Sequence, residues 1–166
     1  MPTPFLTTVI GSLPKPLWLM EHNPVHGTGV KQVHGKGADW ALPGEVLREA
    51  QDDAVRVAVH DQVKAGIDII TDGEQRRKSW MTYVTARLEG FDYENLVEKW
   101  TRNKRRLAPC GQCVGPIYRR EPVLEQDLRF LRAESPCAVK MTLPGPLSVV
   151  DSTYDAYYED EREFAL

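Results

Sequence analysis

Gly66-Ile67-Asp68-Ile69-Ile70-Thr71-Asp72-Gly73-Glu74 is the stretch that decides how this chain folds. Ile67-Asp68-Ile69-Ile70-Thr71, rich in β-branched residues, reads as a strand. Asp72-Gly73 stops it, because an Asp-Gly pair favours a tight turn. Just before it, Glu45–Ala65 carries Leu47, Ala50, Ala54 and Ala58, with Val55, Val59 and Val63 alongside. That spacing predicts one broad apolar helical face. Gly66 stands where a helix commonly ends on a glycine. Helix, glycine, apolar strand and turn in that order make an α/β unit.

Reading outward, the pattern repeats. Phe5–Ile10 predicts a buried strand, stopped by Gly11-Ser12-Leu13-Pro14. Residues 21–44, with five glycines, two prolines and three histidines, predict a long loop. Arg77–Leu88 is expected to be a helix, residues 89–111 a mixed polar stretch, and Val114–Tyr118 a short third strand. Pro122 suits a helix start, with Val123, Leu124, Leu128 and Leu131 following at helical spacing. Ala138–Leu143 predicts a fourth strand, closed by Pro144-Gly145-Pro146, and Leu147–Leu166 an amphipathic helical tail. Alternating strands and helices predict parallel pairing with right-handed crossovers. Four such units fit an open doubly wound sheet, or half of an eight-unit barrel; periodicity leaves both open.

At 166 residues and 18.8 kDa, the chain is one domain or part of one. Hydrophobic residues at 42% and charged ones at 27% give a globular composition. A net charge of −3 supplies no global field for nucleic acid. No run is apolar enough for a membrane span, and the opening residues do not read as an export signal. The three cysteines, Cys110, Cys113 and Cys137, are too few for a disulfide framework, so reduced thiols in the cytoplasm are expected.

Polar and glycine residues fall just after the strands, where parallel α/β folds place ligands. Glu74 offers a carboxylate for an ammonium group. Ser12, with nearby N–H groups, offers donors for a carboxylate. Together they suit the zwitterionic head of an amino acid, and are expected to lie side by side at the carboxyl ends of adjacent strands. The plainer alternative is that Gly11 and Gly73 make turns and Glu74 caps a helix. Cys110-Gly-Gln-Cys113 supplies two ligands where a closed zinc site needs four, so no metal is expected there. His22, His26 and His34 share the long loop without a ligand pattern. Lys99–Arg106 holds five basic residues in eight beside Trp100, which suits a phosphate or polyanion, or simply a solvated loop. The paired Gly27/Gly29 and Gly35/Gly37 follow no strand and make no dinucleotide fingerprint.

Four blocks then resemble one known family. They are Thr7-Thr8-Val9-Ile10-Gly11-Ser12-Leu13-Pro14; Gly66 to Glu74 as quoted; Val114-Gly115-Pro116-Ile117; and Lys140-Met141-Thr142-Leu143-Pro144-Gly145-Pro146. In that order they resemble the cobalamin-independent methionine synthases, closest to the single-barrel members. The resemblance implies parallel (β/α) units forming the first half of a (β/α)8 TIM-type barrel, covering residues 1–166. It implies methyl transfer from a methyl-folate to homocysteine, with zinc holding the thiolate. Ile10, Gly11, Ser12 and Glu74 match the residues that bind homocysteine. Gln112 and Cys113 match the segment that meets the folate, with Gln112 where the family has an arginine. The family's aromatic folate-stacking position falls near Asp151-Ser152, where no tryptophan stands. The zinc ligands lie in the second half of the family barrel, so this chain is expected to bind no zinc and to carry no catalytic residue of its own.

The leading expectation is therefore the amino-terminal half of a methionine-synthase-like barrel, supplying the amino-acid clamp and inactive alone. Two alternatives stand beside it: a non-catalytic half-barrel that self-assembles, most simply as a homodimer, and an alkyltransferase acting on a different thiol. A basic-loop module binding nucleic acid is disfavoured by the acidic balance, and no membrane partner is expected.

Overall fold

A computed structural model describes residues 5–20, 40–102 and 104–166. Histidines 22, 26 and 34, and most of the expected 21–44 loop, lie outside the described residues. The chain divides into two compact units. One comprises residues 5–20, 40–77 and 124–142 of the described chain; the other comprises residues 78–123 and 143–166, apart from 103.

The first unit is built around α1, Gly44–Lys64. Glu45 lies in its first turn and Lys64 in its last, both complementing the helix dipole. Ala50, Ala54, Val55, Ala58, Val59 and Gln62 form its buried face. Ala65 caps it, and Gly66 at φ +75 takes the left-handed geometry that ends it. The chain then enters β1, Ile69–Ile70. β1 pairs in parallel with β4, Ala138–Val139, and Ile69 also bridges Thr8 in parallel. Ile69 thus sits between the first segment and β4.

Val55, Val59, Ile70 and Leu131 make the buried centre of this unit, with Leu131 supplied by α3, Glu125–Glu134. Each such side chain contributes roughly 1.5–3 kcal/mol on burial. At the rim, Arg76 donates to Asp127 at 3.2 Å, pairs with Asp52, and lies 4.4 Å over the Phe130 ring. Gln62, buried within α1, acts as a surrogate strand neighbour. Its Nε2 donates to Thr71 O at 2.8 Å, and its Oε1 accepts from Thr71 N at 2.9 Å. This satisfies the backbone where the ladder stops.

The second unit is organised by a hairpin of β2, Glu89–Thr101, and β3, Arg106–Tyr118. The remaining elements are α2, Thr82–Thr85; α4, Pro146–Ser152; β5, Tyr154–Asp155; and α5, Glu161–Ala165. β5 joins β3 in parallel. Cys113, Val150 and Phe164 are its buried centre, and the Tyr158 and Phe164 rings stack at 5.9 Å.

Mixed α/β structure with parallel pairing is therefore present, but several expectations need correction. Residues 89–111 are not a mixed stretch, and Val114–Tyr118 is not a separate strand: together they form the antiparallel hairpin. Register shifts between Glu89 and Phe91 and between Asp92 and Val97 break the alternation that would have marked it. Gly111 is where the Tyr93 ring crosses; a Cβ there would lie 2.3 Å from Tyr93 Cε1. Phe5–Ile10 is not a buried strand. Only Thr8 bridges, while Phe5 and Ile10 are 84% and 89% exposed. A strand is buried only by what covers it, and among the described residues nothing covers these side chains. The helix expected over Arg77–Leu88 is confined to Thr82–Thr85, because Ser79, Thr82, Val84 and Thr85 are weak helix formers. The helix after Pro122 begins at Glu125, and the fourth strand is only Ala138–Val139. The tail is two short helices around β5, the second capped by Asp160, which accepts from Arg162 N at 2.8 Å.

The basic run is partly structural. Lys99 Nζ donates to Thr153 O at 2.8 Å and also to Val150 O, satisfying carbonyls at the end of α4. Among the described residues no helix is long and apolar enough to cross a membrane.

Candidate functional site

The turn after β1 carries the chemistry of the first unit. Gly73 and Glu74 both have positive φ, at 61° and 57°. Glycine takes that geometry freely, but for a glutamate it is uncommon and is held by its surroundings. Asp72 Oδ1 accepts from Glu74 N at 3.0 Å, and Thr71 Oγ1 accepts from Gly73 N at 3.1 Å. Arg77 N donates back to Glu74 O at 3.1 Å. Within this frame the Glu74 side chain is fixed in one direction and is only 3% exposed.

Both carboxylate oxygens of Glu74 are engaged. The Ser12 hydroxyl donates to Oε2. The Thr142 hydroxyl donates to Oε1 at 2.8 Å. Ser12 follows Gly11, whose φ of +86 makes the turn that brings the hydroxyl round. Leu13 N then donates to Gly73 O at 3.1 Å, tying the two turns together. Three segments thus meet on one carboxylate: those following Thr8, β1 and β4. An ionised carboxylate has about four lone-pair sites, so two hydroxyls leave acceptor capacity for an ammonium group.

Behind Glu74 lies a second charged layer. Arg77 is 1% exposed; its Nη1 donates to Thr142 O at 2.8 Å and its Nη2 lies 3.5 Å from Asp72 Oδ2. Burial pushes the Asp72 carboxyl above its usual range, and the Arg77 charge works against that. Lys15 is drawn below the usual lysine range, chiefly by burial, while Glu74 and Asp72 hold it up.

Ser12 and Glu74, expected side by side, are hydrogen-bonded. Ile10 and Gly11 precede them and can offer only main-chain groups. Gln112 and Cys113 lie on β3 in the other unit. Gln112 Nε2 donates to Asn95 O at 2.7 Å across the hairpin. Cys113 is fully buried among Val150 and Phe164. Burial raises the thiols of both Cys110 and Cys113, and their Sγ atoms donate to the carbonyls of Ala108 and Gly115. Among the described residues no three or more His, Cys, Asp or Glu side chains gather where one metal ion would bind them.

Sequence reasoning missed Thr142, Asp72, Arg77 and Lys15. Thr142 was quotable as the residue before Leu143-Pro144-Gly145-Pro146, but nothing in its spacing tied it to Glu74.

The family described as the catalytic domain of cobalamin-independent synthases matches residues 5–163. This chain belongs to the cobalamin-independent methionine synthase family. A methionine synthase of Sulfurisphaera tokodaii is 33% identical over 161 residues, which are 96% of this chain and 44% of the relative. One from Sulfolobus acidocaldarius is 35% identical over 161 residues, 96% of this chain and 43% of the relative. Among solved structures, a B12-independent methionine synthase from Shewanella sp. W3-18-1 in complex with selenomethionine superposes with a TM-score of 0.82 at 36% identity. That match covers 96% of this chain and 43% of the Shewanella chain. The chain thus spans somewhat under half the length of these methionine synthases.

Proposed function

We propose that this chain supplies the amino-terminal half of a (β/α)8 methyltransferase barrel, and that Ser12, Glu74 and Thr142 grip the amino-acid head of homocysteine. The observation that carries this reading is the buried Glu74 carboxylate held by hydroxyls from two other segments. Its remaining acceptor sites suit an ammonium group, and the main chain at Ile10 and Gly11 suits the accompanying carboxylate. The selenomethionine held by the Shewanella relative supports an amino acid of this kind. The parent reaction is methyl transfer from 5-methyltetrahydrofolate to the homocysteine sulfur. Of the pair matched to the folate segment, Gln112 is the member whose side chain a folate can reach, since Cys113 fills the core. The thiolate, rather than the thiol, is the nucleophile in such a transfer. We expect the chain alone to bind the amino acid without turning it over. Its compartment is the cytoplasm, a reading supported by three cysteines that are all free thiols.

Calorimetric titration of the whole chain with L-homocysteine or L-methionine tests the clamp. Saturable binding of one ligand per chain, with each competing for the other, is expected. No heat from either at millimolar concentration, with the protein folded by circular dichroism, overturns it.

The same reading extends to assembly. A groove of about 390 Å³ in the first unit is lined by Val9, Leu13, Pro16, Ala54, Val57 and Ile67. Phe5, Leu6, Ile10 and Leu17 of that unit are exposed. Leaving ~400 Å² of such surface wet forgoes on the order of 10 kcal/mol at ~25 cal/mol per Å². Self-association as a two-fold dimer is the expected remedy. Sedimentation at micromolar concentration is expected to give twice the chain mass; a stable monomer refutes this part of the proposal.

A further inference from the structure

Gln75 follows Glu74 directly and is 1% exposed. Its side-chain amide turns to the segment that carries Ser12. Nε2 donates to Gly73 O at 3.1 Å and to Leu13 O at 3.2 Å, and lies 3.5 Å from Pro14 O. Leu13 N donates in turn to Gly73 O at 3.1 Å. Both main-chain polar groups of Leu13, the residue after Ser12, are therefore held by the turn that presents Glu74. The approach is close: a Cβ on Gly73 would lie 3.1 Å from Leu13 Cδ1 and 3.2 Å from Gln75 Nε2.

The Gln75 amide is used from its donor end. With nitrogen and oxygen exchanged, it would set an oxygen against three carbonyl acceptors, so chemistry fixes its orientation. Oε1 is buried and has no hydrogen-bond partner among the described residues. An unpaired buried oxygen is destabilising, and an apolar side chain of similar length would avoid that cost. Burial alone therefore does not account for an amide here, whereas donors aimed at the Ser12 segment do. The bond from the Ser12 hydroxyl to Glu74 Oε2 joins residues 62 positions apart. A hydroxyl carried on a turn reaches such a partner steadily only when the main chain beside it is anchored to the partner's own turn.

We propose that Gln75 is a positioning residue of the amino-acid clamp: its side-chain amide ties the Ser12 turn to the Glu74 turn, and so holds the Ser12 hydroxyl on Glu74 before the ligand arrives. This rests on the clamp reading above and deepens it. Gln75 touches no ligand itself. It acts through Ser12, by removing from the binding step the ordering that two separate turns would otherwise require.

Two measurements on the whole chain test this. The first needs no ligand. Amide hydrogen exchange at Leu13 is followed by NMR in the wild type and in Gln75→Met, which keeps the length and removes the donors. Exchange at Leu13 is expected to quicken about tenfold, while Thr71 N, held by Gln62, keeps its rate. An unchanged Leu13 rate overturns the proposal. The second is a double-mutant cycle read as L-methionine affinity. Gln75→Met is expected to weaken binding about tenfold with little change in melting, because loss of the unpaired oxygen offsets loss of the donors. In a Ser12→Ala background the same substitution is expected to weaken binding less than about twofold, since no hydroxyl is left to hold in place. An equal loss in both backgrounds shows that Gln75 acts on the fold and not through Ser12, which defeats this proposal and leaves the clamp standing. Should Gln75→Met unfold, Gln75→Asn takes its place in both measurements: it keeps the amide but, one methylene shorter, falls short of Leu13 O. Failure of the wild type to bind methionine removes the clamp reading and this inference with it.

Discussion

Glu74→Gln is expected to weaken L-methionine binding about a hundredfold or more, with the fold intact. Glutamine keeps the length and one acceptor oxygen of glutamate, so the side chain can occupy the same place. It replaces the other oxygen with an NH2 group. That group presents hydrogens to the Ser12 or Thr142 hydroxyl that formerly donated to the carboxylate, and to the ligand ammonium. A hydrogen bond to a charged partner contributes roughly 1.5–3 kcal/mol, and loss of about 3 kcal/mol is a hundredfold in affinity. Glu74 also adopts φ 57, held by Asp72 Oδ1 on its own N–H, and that contact survives the substitution. Thermal unfolding should therefore shift little. An affinity within about threefold of the wild type, on a protein of unchanged melting, would show that the carboxylate is not the ammonium seat.

The residues at the centre of this prediction were legible in the sequence because glycine announces turns. Gly11 before Ser12 and Gly73 before Glu74 place both polar residues just after apolar runs, and a parallel fold brings such places together. Thr142 and Lys15 carried no such mark. Thr142 lies within a run that reads as more strand, and its contact with Glu74 spans 68 positions of chain. Lys15 looks like any lysine beside prolines until the Gln75 side chain is seen binding the carbonyls next to it.

The fold was legible to a similar depth. The pattern of α1 could be read because its apolar face is continuous and Gly66 ends it. The β2–β3 hairpin could not, because its two register shifts and its polar exposed positions erase the period of two on which strand recognition depends. The first strand was over-read for the opposite reason. Phe5 to Ile10 has the composition of a buried strand, yet composition records what a segment can bury and not what lies over it. Phe5 and Ile10 stay exposed because nothing among the described residues lies over them.

The second large effect is expected at Arg77. Its guanidinium links the turn after β1 to the segment after β4, through Asp72 and the Thr142 carbonyl. Arg77→Met removes the charge while keeping an apolar side chain of some length. It leaves Asp72, 1% exposed, without its ion-pair partner. Breaking a buried pair from one side typically costs about 3–5 kcal/mol, a large share of a domain's stability. The loss should depend on pH in a definite sense. Burial already raises the Asp72 carboxyl above its usual range, and Arg77 restrains that rise. Without Arg77 the folded-state value climbs further above the unfolded one. A carboxyl raised in the folded state binds its proton more tightly there, so the fold gains as pH falls through the window between the two values. The deficit of Arg77→Met is thus greatest at neutral pH and shrinks on acidification. Asp72→Asn added to Arg77→Met removes the orphaned charge and should recover part of the loss at neutral pH. Urea unfolding of the wild type and these two variants across about pH 4–8 reads all of this. Because the Thr142 carbonyl is one of the groups Arg77 holds, Arg77→Met should also weaken methionine binding in protein that remains folded. A loss below about 1 kcal/mol that is flat with pH would mean that Asp72 is neutral in the folded protein and that Arg77 owes its burial to the Thr142 carbonyl alone.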